Sequence, residues 1–203
     1  MVALFAIEAG RIQRPTADID ILGDARQRPS GTEIVTSCLH ELGASRRAIG
    51  GFEAERGFRF EVDGHAVDVL APDGLSRPAM TDAQFQTIQI PGGSQALQRS
   101  EIVVIVVDGV RTRLRRPTLL GAILLKTRSL TVHSHPADQR EDLVTLLGLL
   151  TDPRSAATTL KVSERGWLGD VREGLNLDDT ELEVRFDAAH LRSARAAYSL
   201  LTA

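Results

Sequence analysis

The sequence predicts an α/β fold in which a mixed sheet with flanking helices is followed by a helical C-terminal region. Two alternating segments each close on an Asp-Gly pair, at Asp63-Gly64 and Asp108-Gly109, which is the strongest short-range signal for a β-hairpin. Beyond Pro117 the apolar residues recur instead at helical spacing. We therefore expect an α/β core at residues 1–116 and a helical region at residues 117–203.

Composition places the chain among ordinary globular proteins, since 42% of its 203 residues are apolar and 25% are charged. A formal net charge of -3 argues against a protein that binds nucleic acid by charge alone. The single cysteine, Cys38, cannot form an internal disulfide. Neither a signal peptide nor an apolar run of the roughly 18 to 20 residues that cross a membrane is visible. We expect a cytoplasmic protein with no membrane partner.

The first elements along the chain are a helix, a strand and a second helix. Residues 2–9 favour a helix that stops at Gly10, and residues 19–22 favour a strand. The segment that ends at Gly43 has apolar residues at helical spacing, which predicts an amphipathic helix. Its expected buried face consists of Ile34, Val35, Cys38, Leu39 and Leu42.

The two-residue loop at Asp63-Gly64 sets the register of the first hairpin. Phe60 then lies opposite Val67, and Phe58 opposite Val69, on a buried face. On the other face Asp68 lies directly across from Arg59. The segment PGGSQALQRS, which follows, is predicted to be a loop.

The second hairpin carries an arginine stripe. Arg111, Arg113 and Arg115 share one face of it, and Arg116 is adjacent. Such a stripe either contacts an RNA backbone or is an ordinary solvated face. After Pro117 we expect helices at TLLGAILLKTRSL and DQREDLVTLLGLL, and a last helix capped by Asp187.

Two aspartates alternate with isoleucines in the first strand. Because residues i and i+2 of a strand point to one side, about 6.5 Å apart at Cα, Asp18 and Asp20 can converge on a cation while Ile19 and Ile21 anchor the strand in the core. Mg²⁺ prefers carboxylate and phosphate oxygens, and two such ions assist phosphoryl displacement. Asp68 supplies a third carboxylate. The alternative is that Asp18 and Asp20 lie on an exposed face and that Asp68 only pairs with Arg59.

The segment RPTADIDIL, followed by the strand AVDVL, resembles the pattern of the nucleotidyltransferase superfamily, and more narrowly the AbiEii/MenT family of nucleotidyltransferase toxins. The resemblance implies a nucleotidyltransferase fold whose metal ligands are Asp18, Asp20 and Asp68. It also implies a catalytic lysine at Lys126, in GAILLKTRSL, and a catalytic aspartate at Asp142, in QREDLVTLLGLL. Both side chains border an apolar helix face, so the alternative is a Lys126–Asp142 ion pair that holds two helices together.

The function implied by the resemblance is Mg²⁺-dependent transfer of a nucleoside monophosphate from an NTP to an acceptor hydroxyl. Two Mg²⁺ ions, a tRNA 3′ end as acceptor and a cognate antitoxin as partner follow from the family. Lys126 would bind the triphosphate, so that the helical region completes the active site. Two alternatives stay open: a nucleotidyltransferase that modifies a small molecule or a protein, and a catalytically silent binding module with the same fold.

Arg14 and Thr16 belong to the same motif and are expected to bind the nucleotide. Thr16 is also a candidate regulatory phosphorylation site, because a phosphate there would put about two negative charges beside the metal ligands. Its ordinary role would be a hydrogen bond within the loop. The family's phosphate-binding Gly-Gly turn would lie upstream of Met1, so we expect an internal or misassigned start. His133 and His135 are too few for a zinc site.

Overall fold

The structure, a computed structural model, describes residues 1–11, 18–47, 57–132 and 136–203. Its strands are β1 (Asp18–Leu22), β2 (Ser45–Arg46), β3 (Arg59–Val62), β4 (His65–Pro72), β5 (Gln89–Ile90), β6 (Ser100–Val107) and β7 (Val110–Pro117). Its helices are α1 (Val2–Glu8), α2 (Gly31–Glu41), α3 (Gly93–Gln98), α4 (Leu119–Leu130), α5 (Pro136–Leu149), α6 (Pro153–Thr158), α7 (Val162–Asp170), α8 (Arg172–Leu175), α9 (Thr180–Arg185) and α10 (Ala188–Thr202). The predicted class, a mixed sheet with flanking helices and a helical C-terminal region, is confirmed. None of the helices within these ranges is both long and apolar enough to cross a membrane.

The chain forms two compact units. One comprises Arg14–Leu97, and the other comprises Met1–Gln13 together with Gln98–Ala203. Helix α1 and the hairpin of β6 and β7 thus group with the C-terminal helices, whereas the sequence prediction assigned them to a core at residues 1–116. The predicted domain boundary stays a prediction.

The unit at Arg14–Leu97 is built on a five-stranded mixed sheet. Its strand order is β1-β4-β3-β2, and β5 pairs with the end of β4. Strand β4 is parallel to β1 and β5 and antiparallel to β3. Because β4 has neighbours on both sides, its residues 67–72 are buried, which is typical of a central strand.

The first hairpin, β3 and β4, has the predicted register. Asp63 and Gly64 adopt φ of 48° and 79°, the left-handed values that a two-residue hairpin loop requires. Phe60 lies opposite Val67, and the Val69 N–H donates to the Phe58 carbonyl at 2.8 Å. Phe60 and Val69 have no exposed surface, so this face forms the core of the unit.

Helix α2 covers the sheet with a face that matches the prediction only in part, since Leu39 is buried and Val35 packs against the core as expected. Its buried residues are Thr32, Thr36 and Leu39, whereas Cys38 is exposed and Leu42 is 70% exposed. The prediction of a buried Cys38 is therefore wrong. Small threonines at i and i+4 let the helix approach the sheet closely, and the Thr32 hydroxyl donates to the Met80 carbonyl at 2.6 Å.

The segment predicted to be a loop contains helix α3, so that prediction is wrong in part. The Asp73 carboxylate accepts hydrogen bonds from the N–H groups of Gly92 and Ser94, at 3.0 and 2.9 Å, where the helix begins. Burial alone would raise the pKa of Asp73, but the N–H donors of Ser94 and Gly92 lower it overall. A cap supplied from a distant part of the chain leaves no local sequence signal for the helix.

The other unit is held together by a helical core. Helices α4, α5, α7, α8, α9 and α10 contribute the buried leucines, and α1 adds Val2 and Phe5. The predicted cap of the last helix is confirmed, since the Asp187 carboxylate accepts from the His190 N–H at 2.8 Å. Gly10, with φ of 65°, follows α1 at the predicted helix stop.

The second hairpin, β6 and β7, forms a separate two-stranded sheet in the same unit. Asp108 and Gly109 have φ of 49° and 80°, and Val104 lies opposite Arg113, as the predicted register requires. Arg116 is buried at the base of the hairpin. It donates to Glu8 and Glu101, at 2.8 and 3.0 Å, and lies over the Phe5 ring. It therefore anchors the hairpin and does not belong to the exposed arginine stripe.

Candidate functional site

Three carboxylates share one face of the five-stranded sheet. Asp18 and Asp20 are two residues apart in β1, and Asp20 is the direct partner of Asp68 in the parallel ladder of β1 and β4. Paired residues of neighbouring strands point to the same side of a sheet, so Asp68 lies on the side of Asp18 and Asp20. We call this set, Asp18, Asp20 and Asp68, the acid face.

Arg59, on β3, contacts two members of the acid face through its guanidinium. It is the cross-strand partner of Asp68 and binds that carboxylate with two hydrogen bonds, Nε–Oδ1 at 2.7 Å and Nη2–Oδ2 at 2.6 Å. The same Nη2 lies 3.6 Å from Oδ2 of Asp18. The hydrogen bond to Asp68 raises the pKa of Arg59, burial opposes the rise, and the charges of Asp18 and Asp20 add to it.

The members of this face differ in their access to solvent. The Asp68 side chain is 9% exposed and the Asp18 side chain 47%. A nearly buried carboxylate is stable only with a partner, and Arg59 supplies that partner in bidentate geometry. Solvent therefore reaches the Asp18 carboxylate in β1, whereas the Asp68 carboxylate in β4 is nearly buried.

The isoleucines of β1 meet only half of the prediction. Ile21 packs against the core cluster that contains Phe60 and Val69. Ile19 is 51% exposed, so its predicted role as a core anchor is wrong. The physical reason is that β1 is the outer strand in the order β1-β4-β3-β2 and is covered only toward its end at Leu22.

The acid face has the chemistry of a site for a hard cation, because carboxylate oxygens are the ligands that Mg²⁺ prefers. Within the described ranges, however, no group of three or more histidine, cysteine or acidic residues is arranged to hold a metal ion. Both oxygens of Asp68 face the guanidinium of Arg59. A metal ion at Asp68 would compete with Arg59 for these oxygens.

Lys126 and Asp142 form an ion pair in the helical unit. Lys126 Nζ, on α4, lies 2.8 Å from Oδ2 of Asp142 and donates to Oε1 of Gln139 at 2.9 Å, both on α5. The two side chains are 17% and 8% exposed. This is the pair that the helix-packing alternative predicts, and the catalytic roles of both residues stay predictions.

The remaining predictions concern Arg14, Thr16 and two histidines. Arg14 and Thr16 lie outside the described residues, as do His133 and His135. Arg11, which precedes the motif, forms an ion pair with Asp187 at 3.2 Å in the helical unit. The nucleotide-binding roles of Arg14 and Thr16, and phosphorylation of Thr16, stay predictions.

Sequence reasoning placed Arg59 opposite Asp68 but missed its contact with Asp18. That contact depends on β1 lying next to β4 on the side away from β3, and no local pattern specifies which strands become neighbours across a sheet. The turn at Asp63-Gly64 predicts only the pairing of Arg59 with Asp68.

Comparison of the chain with protein-family models, with curated proteins and with solved structures found no match. The observations that bear on function are therefore the acid face, the Arg59 guanidinium that contacts it, and the motif that carries Asp18 and Asp20.

Proposed function

We propose that the chain is a Mg²⁺-dependent nucleotidyltransferase that moves a nucleoside monophosphate from an NTP to an acceptor hydroxyl. The observation that carries the proposal is the shared face of Asp18, Asp20 and Asp68 on the parallel strands β1 and β4. Like charges side by side in a sheet are destabilising, so their collection on one face suggests a functional site.

In this proposal Asp18, Asp20 and Asp68 are the residues that hold Mg²⁺. The bound metal would neutralise phosphate charge and make the acceptor hydroxyl a better nucleophile. Asp68 accepts the proton that the acceptor hydroxyl loses as its oxygen bonds to the α-phosphate and pyrophosphate leaves. Arg59, once released from Asp68, remains a cation beside the acid face.

The finer assignments come from the family resemblance alone. They are a tRNA 3′ end as the acceptor, a role as the toxin of a toxin-antitoxin pair, and a contact between Lys126 and the triphosphate. A small-molecule or protein acceptor would require the same acid face. The labelling experiment distinguishes such an acceptor from tRNA.

A second candidate, a catalytically silent binding module, is favoured by one observation. Arg59 engages both oxygens of Asp68 and approaches Asp18, so the acid face already has a cation of its own. An arginine that permanently replaces the metal would keep the fold and abolish phosphoryl transfer.

The test incubates the purified full chain with Mg²⁺, bulk tRNA and each labelled NTP in turn. Asp18→Ala removes an acid-face carboxylate, and Glu33→Ala, an exposed carboxylate on α2, is the matched control. We expect label in tRNA with the parent and with Glu33→Ala, and none with Asp18→Ala.

Further measurements separate the alternatives. Pyrophosphate release without label in tRNA would indicate another acceptor. If no NTP yields pyrophosphate, titration with Mn²⁺ followed by electron paramagnetic resonance decides what remains. Mn²⁺ binding that Asp18→Ala removes would indicate a metal-binding module without catalysis, and no binding would contradict a metal site at the acid face.

A further inference from the structure

In the part of the chain that the structure describes, no third strand pairs with the hairpin of β6 and β7, so both of its edges are free there. An isolated two-stranded ribbon is at best marginally stable in water and gains stability from a further strand or a packed face.

A hydrogen bond at the base of the hairpin shows which backbone groups of β6 face away from β7. The Thr118 N–H donates to the Arg99 carbonyl at 2.6 Å, so Arg99 and Thr118 occupy a hydrogen-bonded position of the ladder. Hydrogen-bonded and non-hydrogen-bonded pairs alternate in an antiparallel ladder. The even-numbered residues of β6, namely Ile102, Val104 and Val106, therefore direct their N–H and C=O groups away from β7.

The two edges differ in how they are protected. Strand β7 has arginine at alternate positions, and charges of this kind commonly keep an edge strand from pairing with other chains. Residues 102–107 of β6 are all apolar, and Ile102, Val104 and Val106 are 49%, 53% and 62% exposed. The edge of β6 thus combines exposed apolar side chains with backbone groups that pair with no strand among residues 1–11, 18–47, 57–132 and 136–203.

The chemistry of the partner follows from the arginines. Arg115, Arg113 and Arg111 lie directly opposite Ile102, Val104 and Val106 on one face of the hairpin. Arg111 and Arg113 form no ion pair among the described residues, and Arg115 donates to the Ser100 hydroxyl at 3.0 Å. A guanidinium side chain is long enough to reach across a short valine to a strand paired with the edge of β6. Carboxylates on that strand would complement the stripe.

We propose that the free edge of β6 binds an extended acidic segment of a partner protein as a third β-strand. The segment would alternate acidic with apolar residues, because one of its faces lies beside the arginine stripe and the other beside Val103 and Ile105. This proposal does not depend on the proposed function, since it involves neither the acid face nor Lys126.

Two other occupants fit the observations less well. RNA would match the arginines, but this hairpin has no aromatic side chain on which a base could stack, and its apolar edge offers nothing to phosphates. A second copy of the chain could pair β6 with β6. Within β6 itself that pairing would bring only isoleucine and valine beside the stripe, since Glu101, at the base, is the single acid in β6 and already binds Arg116.

The first experiment measures fluorescence anisotropy of short labelled peptides with the full chain. The probes are a peptide of alternating glutamate and valine and its counterpart with lysine in place of glutamate. We expect binding of the glutamate peptide alone. The triple variant Arg111→Glu, Arg113→Glu, Arg115→Glu should weaken that binding by about tenfold or more, because like charges then face each other. Arg154→Glu, at an exposed position on α6, is the matched control and should bind as the parent does.

A second pair of peptides tests strand addition itself. N-methylation of one alternate set of peptide amides should abolish binding, and methylation of the other set should leave it intact, because only one set faces β6. In hydrogen exchange the amides of Ile102, Val104 and Val106 should gain protection when the peptide binds. Equal effects of both methylated sets would overturn strand addition.

Three further results would overturn the proposal. One is no binding of the glutamate peptide by the parent chain. The second is an RNA oligonucleotide that binds the same hairpin and displaces the peptide. The third is a dimer of the chain alone in light scattering that Val104→Lys converts to a monomer. Circular dichroism of each variant establishes that the fold is retained.

Discussion

The two hairpins of this protein have almost the same turn and opposite environments. Asp63-Gly64 and Asp108-Gly109 adopt φ values within a degree of each other, 48° and 79° against 49° and 80°. Both turns set the register that their two-residue loops predict. Yet Phe60 and Val69 of the first hairpin have no exposed surface, whereas Val104 and Val106 of the second are more than half exposed.

The difference shows that a turn closes a hairpin without deciding what covers it. Strand β4 of the first hairpin pairs with β1, and helix α2 packs on its apolar face. The second hairpin has no further strand among the described residues. The charged residues follow the same division, since Arg59 is held by two carboxylates while Arg113 has no acidic partner among the described residues.

The largest expected effect comes from truncating one apolar residue in each hairpin. Phe60→Ala should lower the free energy of unfolding by about 3–5 kcal/mol, because it leaves a cavity in the core. Val104→Ala should change it by less than about 0.5 kcal/mol, since that side chain is exposed. Denaturant unfolding followed by circular dichroism measures both. Similar losses in the two variants would mean that the second hairpin is buried in solution, and the comparison would fail.

A smaller difference is expected from the arginines. Arg59→Gln leaves the Asp68 carboxylate without its bidentate partner and should cost about 1–3 kcal/mol of stability, with partial exposure of Arg59 favouring the lower values. Arg113→Gln should cost less than about 0.5 kcal/mol. Both are measured by the same unfolding experiment.

A double-mutant cycle tests the cause of the Arg59 effect. In the Arg59→Gln background, Asp68→Asn should cause little further loss, because the uncompensated charge is removed. Additive losses from the two substitutions would show that Arg59 stabilises the sheet by some means other than the pair.

Mg²⁺ should also raise the melting temperature of Arg59→Gln more than that of the parent, since the metal then has no competing cation at Asp68.

The smallest effect concerns the turns themselves. An added Cβ at Gly64 or Gly109 would meet no other atom within 4 Å, so replacement by alanine costs only the positive φ. We expect a loss of about 1 kcal/mol in each hairpin. Gly64→Ala should lower the stability of the whole sheet, whereas Gly109→Ala should increase local opening of β6 and β7. Amide hydrogen exchange distinguishes the two, and an identical spread of faster exchange in both variants would contradict the separate status of the second hairpin.

Much of the local structure follows from short sequence patterns. The two Asp-Gly turns, the stop at Gly10 and the cap at Asp187 are each specified by residues within a few positions of one another, and the structure has all of them. The pairing of Arg59 with Asp68 belongs to the same group, because the turn at Asp63-Gly64 brings them together.

The errors have a common origin in contacts between distant parts of the chain. Helix α3 begins where Asp73, about twenty positions earlier, accepts its first N–H groups. Cys38 is exposed because the threonines of α2 face the sheet, and Ile19 is exposed because β1 lies at its edge. Apolar periodicity predicts that a helix or strand has a buried face, but it does not state which residues the neighbouring element will cover.

The acid face shows the same division between sequence and tertiary structure. The spacing of Asp18 and Asp20 in a strand, and the position of Asp68 opposite Arg59, are properties of the sequence because both depend on period-two geometry and one short turn. The assembly of these residues on one face, with Arg59 between Asp18 and Asp68, was decided only when β1 paired in parallel with β4. Parallel neighbours are joined by a long connection, and the choice of partner is then made by the packing of the whole sheet.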